Sequence, residues 1–266
     1  MVVECVCQNG QKSLKTFIKG APERIEKLCL PDSVPQSFKT ALDRYSQKGF
    51  RVIALAAKDL TMKKFKVQRA KRDDLEQDAK FIGLIVFQNK VKSVSADVIE
   101  ELEEAKIKSV MVTGDNILTS IAVSFECGIL NKSEKVIIGE LSKENVMWRE
   151  VNNSTSYESI PISKLVENNK DSFQVAMTGD VFDWLVLNRP TLLDSILVKG
   201  RVFARMSPEN KALLVDYFEQ MEYIACFCGD GANDCGALKR ASVGISLSEL
   251  EASVAAPFTA KCGDVR

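Results

Sequence analysis

Two aspartates four residues apart, Asp230 and Asp234, stand in the run Gly229-Asp230-Gly231-Ala232-Asn233-Asp234, directly after the apolar segment YIACFC. Glycines on both sides of Asp230 let backbone approach a ligand closely, and position 234 projects from a first helical turn towards the same place. Two carboxylates so spaced at a strand end suit a hard cation. The chain has no histidine and its eight cysteines include no CxxC pair, so the expected ion is Mg²⁺, held by carboxylate, water and a phosphate oxygen. Spacing alone allows an equal alternative, a Gly-Asp turn whose helical aspartate satisfies the helix dipole.

A second strand end carries Thr113-Gly114-Asp115-Asn116 after KSVMV. A hydroxyl followed by amides that open a helix makes a phosphate cradle, although a lone Thr-Gly-Asp is read more simply as a helix cap. Lys211 lies early in the helix begun by Ser207-Pro208 and can offset charge on a transferring phosphoryl group, or can face water. Thr178-Gly179-Asp180 repeats the triplet, so one copy is expected to be a decoy. Thr113 is preferred because a regular strand and helix precede it. With no histidine, nucleophiles that rely on an imidazole base are excluded, and catalysis must rest on carboxylates, lysine and a metal.

The elements that would position these residues follow from apolar periodicity. The 266 residues are 45% hydrophobic, enough for a real core and for two domains. Lys plus Arg and Asp plus Glu both total 36, so no net field attracts nucleic acid. No apolar run of about 18 residues occurs, so the chain as given is expected to be soluble, its cysteines buried reduced thiols. A hairpin is expected over 2–18, helices over 21–29 and 34–48, and a strand at FRVIALAAK. The charged stretch 59–79 reads as a connector that ends the first domain, giving domains 1–79 and 80–266. From FIGLIVF onward strand and helix alternate, which predicts an α/β domain with a parallel sheet and helices on both faces. Residues 131–170 read as a polar insertion.

Taken in order, KGAPE (Lys19 to Glu23), GFRVIALA, MVTGDN, FARMSPENK and GDGANDCGALK resemble the motifs of the P-type ATPases, whose phosphorylation domain is of the haloacid dehalogenase type. Five ordered motifs across about 220 residues are far more specific than any one alone. The resemblance implies that residues 1–79 are the later part of a nucleotide-binding domain and 80–266 most of a phosphorylation domain. It implies ATP as substrate, with Lys19 and Gly20 at the adenosine and Arg51 reaching the nucleotide. Thr113, Gly114 and Asp115 would touch phosphate or nucleotide, Arg205 the ribose side, Lys211 the phosphoryl group and Asn233 the phosphate. Asp230 and Asp234 would hold Mg²⁺. Thr113, Lys211, Asp230 and Asn233 are thus the candidate catalytic residues.

GISLSELEASVAAPFTAK further resembles the fifth class and its polyamine-exporting subgroup, which implies a pump whose cytosolic face carries this segment, in late endosomes or lysosomes. Cys235-Gly236 departs from the commoner GDGVNDAPALK, and Asp180 from the usual basic or neutral residue. The Asp-Lys-Thr-Gly-Thr segment that carries the phosphorylated aspartate in the family occurs nowhere in these 266 residues. The expected partners are therefore ATP and the remainder of the same pump: nucleophile strand, actuator domain and membrane helices. The chain alone is expected to be inactive. Two other readings are a truncated non-catalytic isoform or incomplete gene model, and a soluble dehalogenase-like phosphatase with residues 1–79 as a cap. The last needs a strand-end aspartate nucleophile of its own.

Overall fold

The computed structural model describes residues 2–6, 12–61, 64–67, 69–88, 90–142, 145–151, 162, 172–247, 249 and 252–260. The chain divides into two compact units, residues 1–89 and 90–266.

In the first unit, β1 (Val2–Val6), β2 (Lys12–Gly20), β3 (Arg51–Leu60) and β4 (Lys80–Phe87) form an antiparallel sheet in that order. Between β2 and β3 lie α1 (Pro22–Leu28), opened by Pro22 at its first turn, and α2 (Phe38–Gln47), ended near Gly49 at φ 76°. These helices cover one sheet face, where Ile18, Ile25, Cys29, Ala54 and Ala56 are buried with Phe81 and Leu84 against them. Two short helices, α3 (Lys64–Val67) and α4 (Arg72–Glu76), occupy the charged stretch read as a connector.

The boundary at residue 79 moves. FIGLIVF was expected to open the second sheet, but as β4 it pairs with β3 from Ala57↔Lys80 to Arg51↔Phe87, and the unit ends ten residues later than expected. An apolar run of this length fits a strand of either sheet, and only the pairing partner decides between them.

Among the described residues the second unit holds a five-stranded and a three-stranded sheet. In the first, the order is β5 (Met111–Val112), β9 (Gly200–Ala204), β8 (Phe173–Thr178), β6 (Lys135–Ser142) and β7 (Asn145–Glu150). All neighbours are parallel except the hairpin β6–β7. The expected insertion is therefore partly structural. Val136, Ile137 and Ile138 are buried, so a short apolar core inside a polar stretch suffices to place β6 between β7 and β8. Residues 143, 144, 152–161 and 163–170 of that insertion lie outside the described residues.

The second sheet runs β10 (Cys226–Gly229), β11 (Val243–Ser246), β12 (Phe258–Thr259), all parallel. Among the described residues the helices of this unit include α5 (Val94–Glu104), α6 (Ile117–Cys127), α7 (Gly179–Asn188), α8 (Pro190–Lys199), α9 (Pro208–Gln220) and α10 (Cys235–Arg240). As expected, Gly128 closes α6 in the left-handed conformation and Ser207 caps α9 with Pro208 behind it. Among the described residues, β5 is paired on one side only, by β9, and β10 on one side only, by β11. Val112 of β5 packs both with the main core and with the cluster around Phe227 of β10, so the two open edges belong to one packed body. The apolar stripe of α5 (Val94, Val98, Leu102) stays half-buried.

Candidate functional site

The carboxyl ends of β5, β9 and β10 gather most of the expected phosphate-site residues. Thr113 follows β5 and is fixed to β9, its amide donating to Phe203 and its carbonyl accepting from Met206. The Thr113 hydroxyl accepts from the Asp115 amide at 3.1 Å, while Asn116 caps α6 by accepting from the Leu118 amide. Arg205, at φ 52°, donates from its amide to the Asp115 carbonyl and from Nη1 to the Gly114 carbonyl at 3.1 Å. Arg205 thus braces the Thr113 turn.

One helical turn beyond Ser207, Lys211 is buried and its Nζ donates to Asp234 Oδ1 at 2.7 Å. The other oxygen, Asp234 Oδ2, accepts from the amides of Asp230 and Gly231. Asp234 is therefore turned into the protein, and its carboxylate shapes the loop that presents Asp230. Asp230 and Asn233 are exposed. Gly229 is sterically required, since a Cβ there would lie 2.6 Å from Asp234 Cβ, whereas one on Gly231 would meet the side-chain end of Asn233 at 2.3 Å.

An uninterrupted chain of contacts so runs from Thr113 through Met206 and the Ser207 cap to Lys211, Asp234 and the amide of Asp230. What reaches solvent is a carboxylate, an amide side chain and close-packed backbone, backed by a buried cation. This donor set fits Mg²⁺, which is commonly held by one or two carboxylates, waters and a phosphate. Among the described residues no three or more His, Cys, Asp or Glu side chains converge, so an all-protein cage for the ion is absent there.

The second triplet ends β8 in the same sheet, with β9 between it and β5. There the Thr178 hydroxyl donates to Asp180 within its own triplet. Gly179 packs so closely under Arg205 that a Cβ would sit 2.7 Å from the Arg205 carbonyl oxygen.

In the first unit, Lys19 and Arg51 fall on one sheet face. Register pairs Lys19 with Leu55, Leu55 with Gly83, Ile53 with Ile85 and Arg51 with Phe87, all opposite in direction to the buried Ile18, Ala54 and Ala56. Phe17, Ile85 and Phe87 are 37%, 40% and 42% exposed on this face, and a Cβ on Gly83 would meet open space. Two cations beside an exposed apolar floor suit a planar base bearing phosphates. Gly20 closes β2 with only ordinary contact to Ile25. Gly83, Ile85 and Phe87 were not anticipated, because their strand was assigned to the other sheet.

Residues 1–93 match the family described as P-type ATPase, cytoplasmic domain N, and this stretch nearly coincides with the first compact unit. The chain is 42% identical to the mouse polyamine-transporting ATPase 13A3 over 95% of its length. This chain is a relative of the P-type transport ATPases. It is also 42% identical to the human probable cation-transporting ATPase 13A4 over 94% of its length, and 38% identical to the cation-transporting ATPase catp-5 of Caenorhabditis elegans over all of it. The chain spans about a fifth of the length of these P-type ATPases, 22–23%. No helix among its described residues is long and apolar enough to cross a membrane.

Proposed function

We propose that, within a complete P-type ATPase, this segment binds ATP on its first unit and organises phosphoryl transfer on a second unit of haloacid dehalogenase type. The work of that pump is transport of a polyamine or another cation, on the cytosolic side of a late endosomal or lysosomal membrane. The observation that carries the reading is the linkage of Thr113, Arg205, Lys211, Asp234 and Asp230 at adjoining strand ends. Thr113 lies 92 positions before Arg205 and 121 before Asp234, and the resemblance assigns Thr113 and Lys211 to the phosphate, Arg205 to the ribose side and the two aspartates to Mg²⁺.

Asp230 would hold Mg²⁺ from its exposed position, with Asp234 fixing the loop behind it, and the ion would supply positive charge to the phosphate oxygens. The Thr113 hydroxyl and the amides opening α6 receive phosphate oxygens, as helix N-termini do. Asn233 donates to the same group, and Lys211 supplies a buried positive charge beneath it. Lys19, Gly20 and Arg51 line the nucleotide face, with Ile85 and Phe87 as apolar floor for the base. The attacking carboxylate is the aspartate of an Asp-Lys-Thr-Gly-Thr strand contributed from outside these residues. Positioning and electrostatics are the whole contribution of this chain to the transfer.

Two measurements test the reading. The complete protein should form a hydroxylamine-sensitive phosphoenzyme from γ-labelled ATP and hydrolyse ATP faster when spermine or spermidine is added. The 266-residue chain alone should form no phosphoenzyme. A complete protein stimulated by Ca²⁺ or K⁺ but indifferent to polyamines overturns the substrate, and labelling of the chain alone overturns the division of roles.

A further inference from the structure

Cys226 and Cys228 lie two positions apart on β10, and the strand alternates so that both side chains are exposed while Phe227 is buried. The two thiols share one face of the strand, and neither is part of a disulfide. Neither belongs to the phosphate machinery, which begins beyond Gly229.

Their placement restricts the chemistry. Residues i and i+2 of a strand are separated by about 6.6 Å of rise with parallel Cα–Cβ directions. A disulfide needs Cβ atoms about 3.8 Å apart, so direct oxidation of the pair would require the strand to bend. An atom inserted between the sulfurs removes that requirement. Zn²⁺ in structural sites takes four ligands, and among the described residues no third His, Cys, Asp or Glu joins this pair. A soft ion content with two thiolates is left, and thiolates select Cu⁺.

We propose that Cys226 and Cys228 form a two-thiolate site for a soft monovalent d¹⁰ ion, Cu⁺. Binding replaces two S–H bonds with two S–Cu bonds and releases two protons, with no change of oxidation state. The strand supplies both ligands, so the site forms without any movement of another element.

The test uses the 266-residue chain with Cys5→Ser and Cys7→Ser, which remove the other Cys-x-Cys pair of the sequence. Cu⁺ is offered anaerobically as its bathocuproine disulfonate complex, and withdrawal of copper is followed by loss of the chelator's colour. Iodoacetamide labelling, read by mass spectrometry, runs alongside. One Cu⁺ should be taken up per chain, protecting Cys226 and Cys228 together, and either Cys226→Ser or Cys228→Ser should abolish uptake. Failure to withdraw copper, equal uptake by the serine variants or protection of a single thiol overturns the proposal. So does labelling of the buried Cys29 and Cys127 as fast as the exposed pair, since the pair would then have no distinct environment.

Discussion

Lys211 Nζ stands 2.7 Å from Asp234 Oδ1, with the two side chains only 6% and 8% exposed. The pair joins α9 to the loop after β10, and the two amides on Asp234 Oδ2 leave that carboxylate no orientation but this one. Asp234→Asn should therefore act on stability as well as on activity. Removing one partner of a buried pair leaves the other charge uncompensated and costs about 3–5 kcal/mol, whereas replacing both by apolar residues costs less. We expect Lys211→Met combined with Asp234→Leu to unfold at a higher urea concentration than either single change, in the complete protein's cytoplasmic portion. A double variant as damaged as the sum of the singles would contradict this.

Asp230 behaves differently because its side chain is exposed. Asp230→Asn should leave the unfolding midpoint within about 0.5 kcal/mol of the parent, as surface changes do. In the complete pump it should nevertheless abolish phosphoenzyme formation, measured with γ-labelled ATP at saturating Mg²⁺. Normal labelling would remove Asp230 from the metal site.

Three glycines separate fold from function. Gly229→Ala brings a methyl against Asp234 Cβ at 2.6 Å and should cost about 1–3 kcal/mol by overpacking. Gly231→Ala meets only the mobile end of Asn233, so it should cost little stability yet displace Asn233 and slow phosphorylation. Gly83→Ala meets nothing within 4 Å and should be close to neutral in thermal unfolding.

For the nucleotide face, Lys19→Ala and Arg51→Ala should each weaken binding of a fluorescent ATP analogue to the complete protein without lowering its melting temperature. Phe87→Ala should weaken it as well, because Phe87 is the cross-strand neighbour of Arg51. Undiminished binding in all three variants would place the base elsewhere.

Much of this architecture was written locally. Ser207 with Pro208 starts α9 and Gly128 stops α6, because capping and left-handed backbone depend on a few adjacent residues. The strand-end motifs were legible for the same reason: an apolar run followed by Thr-Gly-Asp or Gly-Asp-Gly marks where backbone turns and polar groups surface. The sequence could not assign FIGLIVF to its sheet, nor detect that KVIIGEL is a strand within a polar stretch. Pairing joins residues far apart in the chain and leaves no local signature, so β4 looked like the start of a domain that it in fact completes. Spacing likewise put Asp230 and Asp234 forward as equivalent carboxylates. Only the packing of α9 against the loop after β10 made one a buried partner of Lys211 and left the other facing solvent, since burial and pairing are set by what lies across the fold.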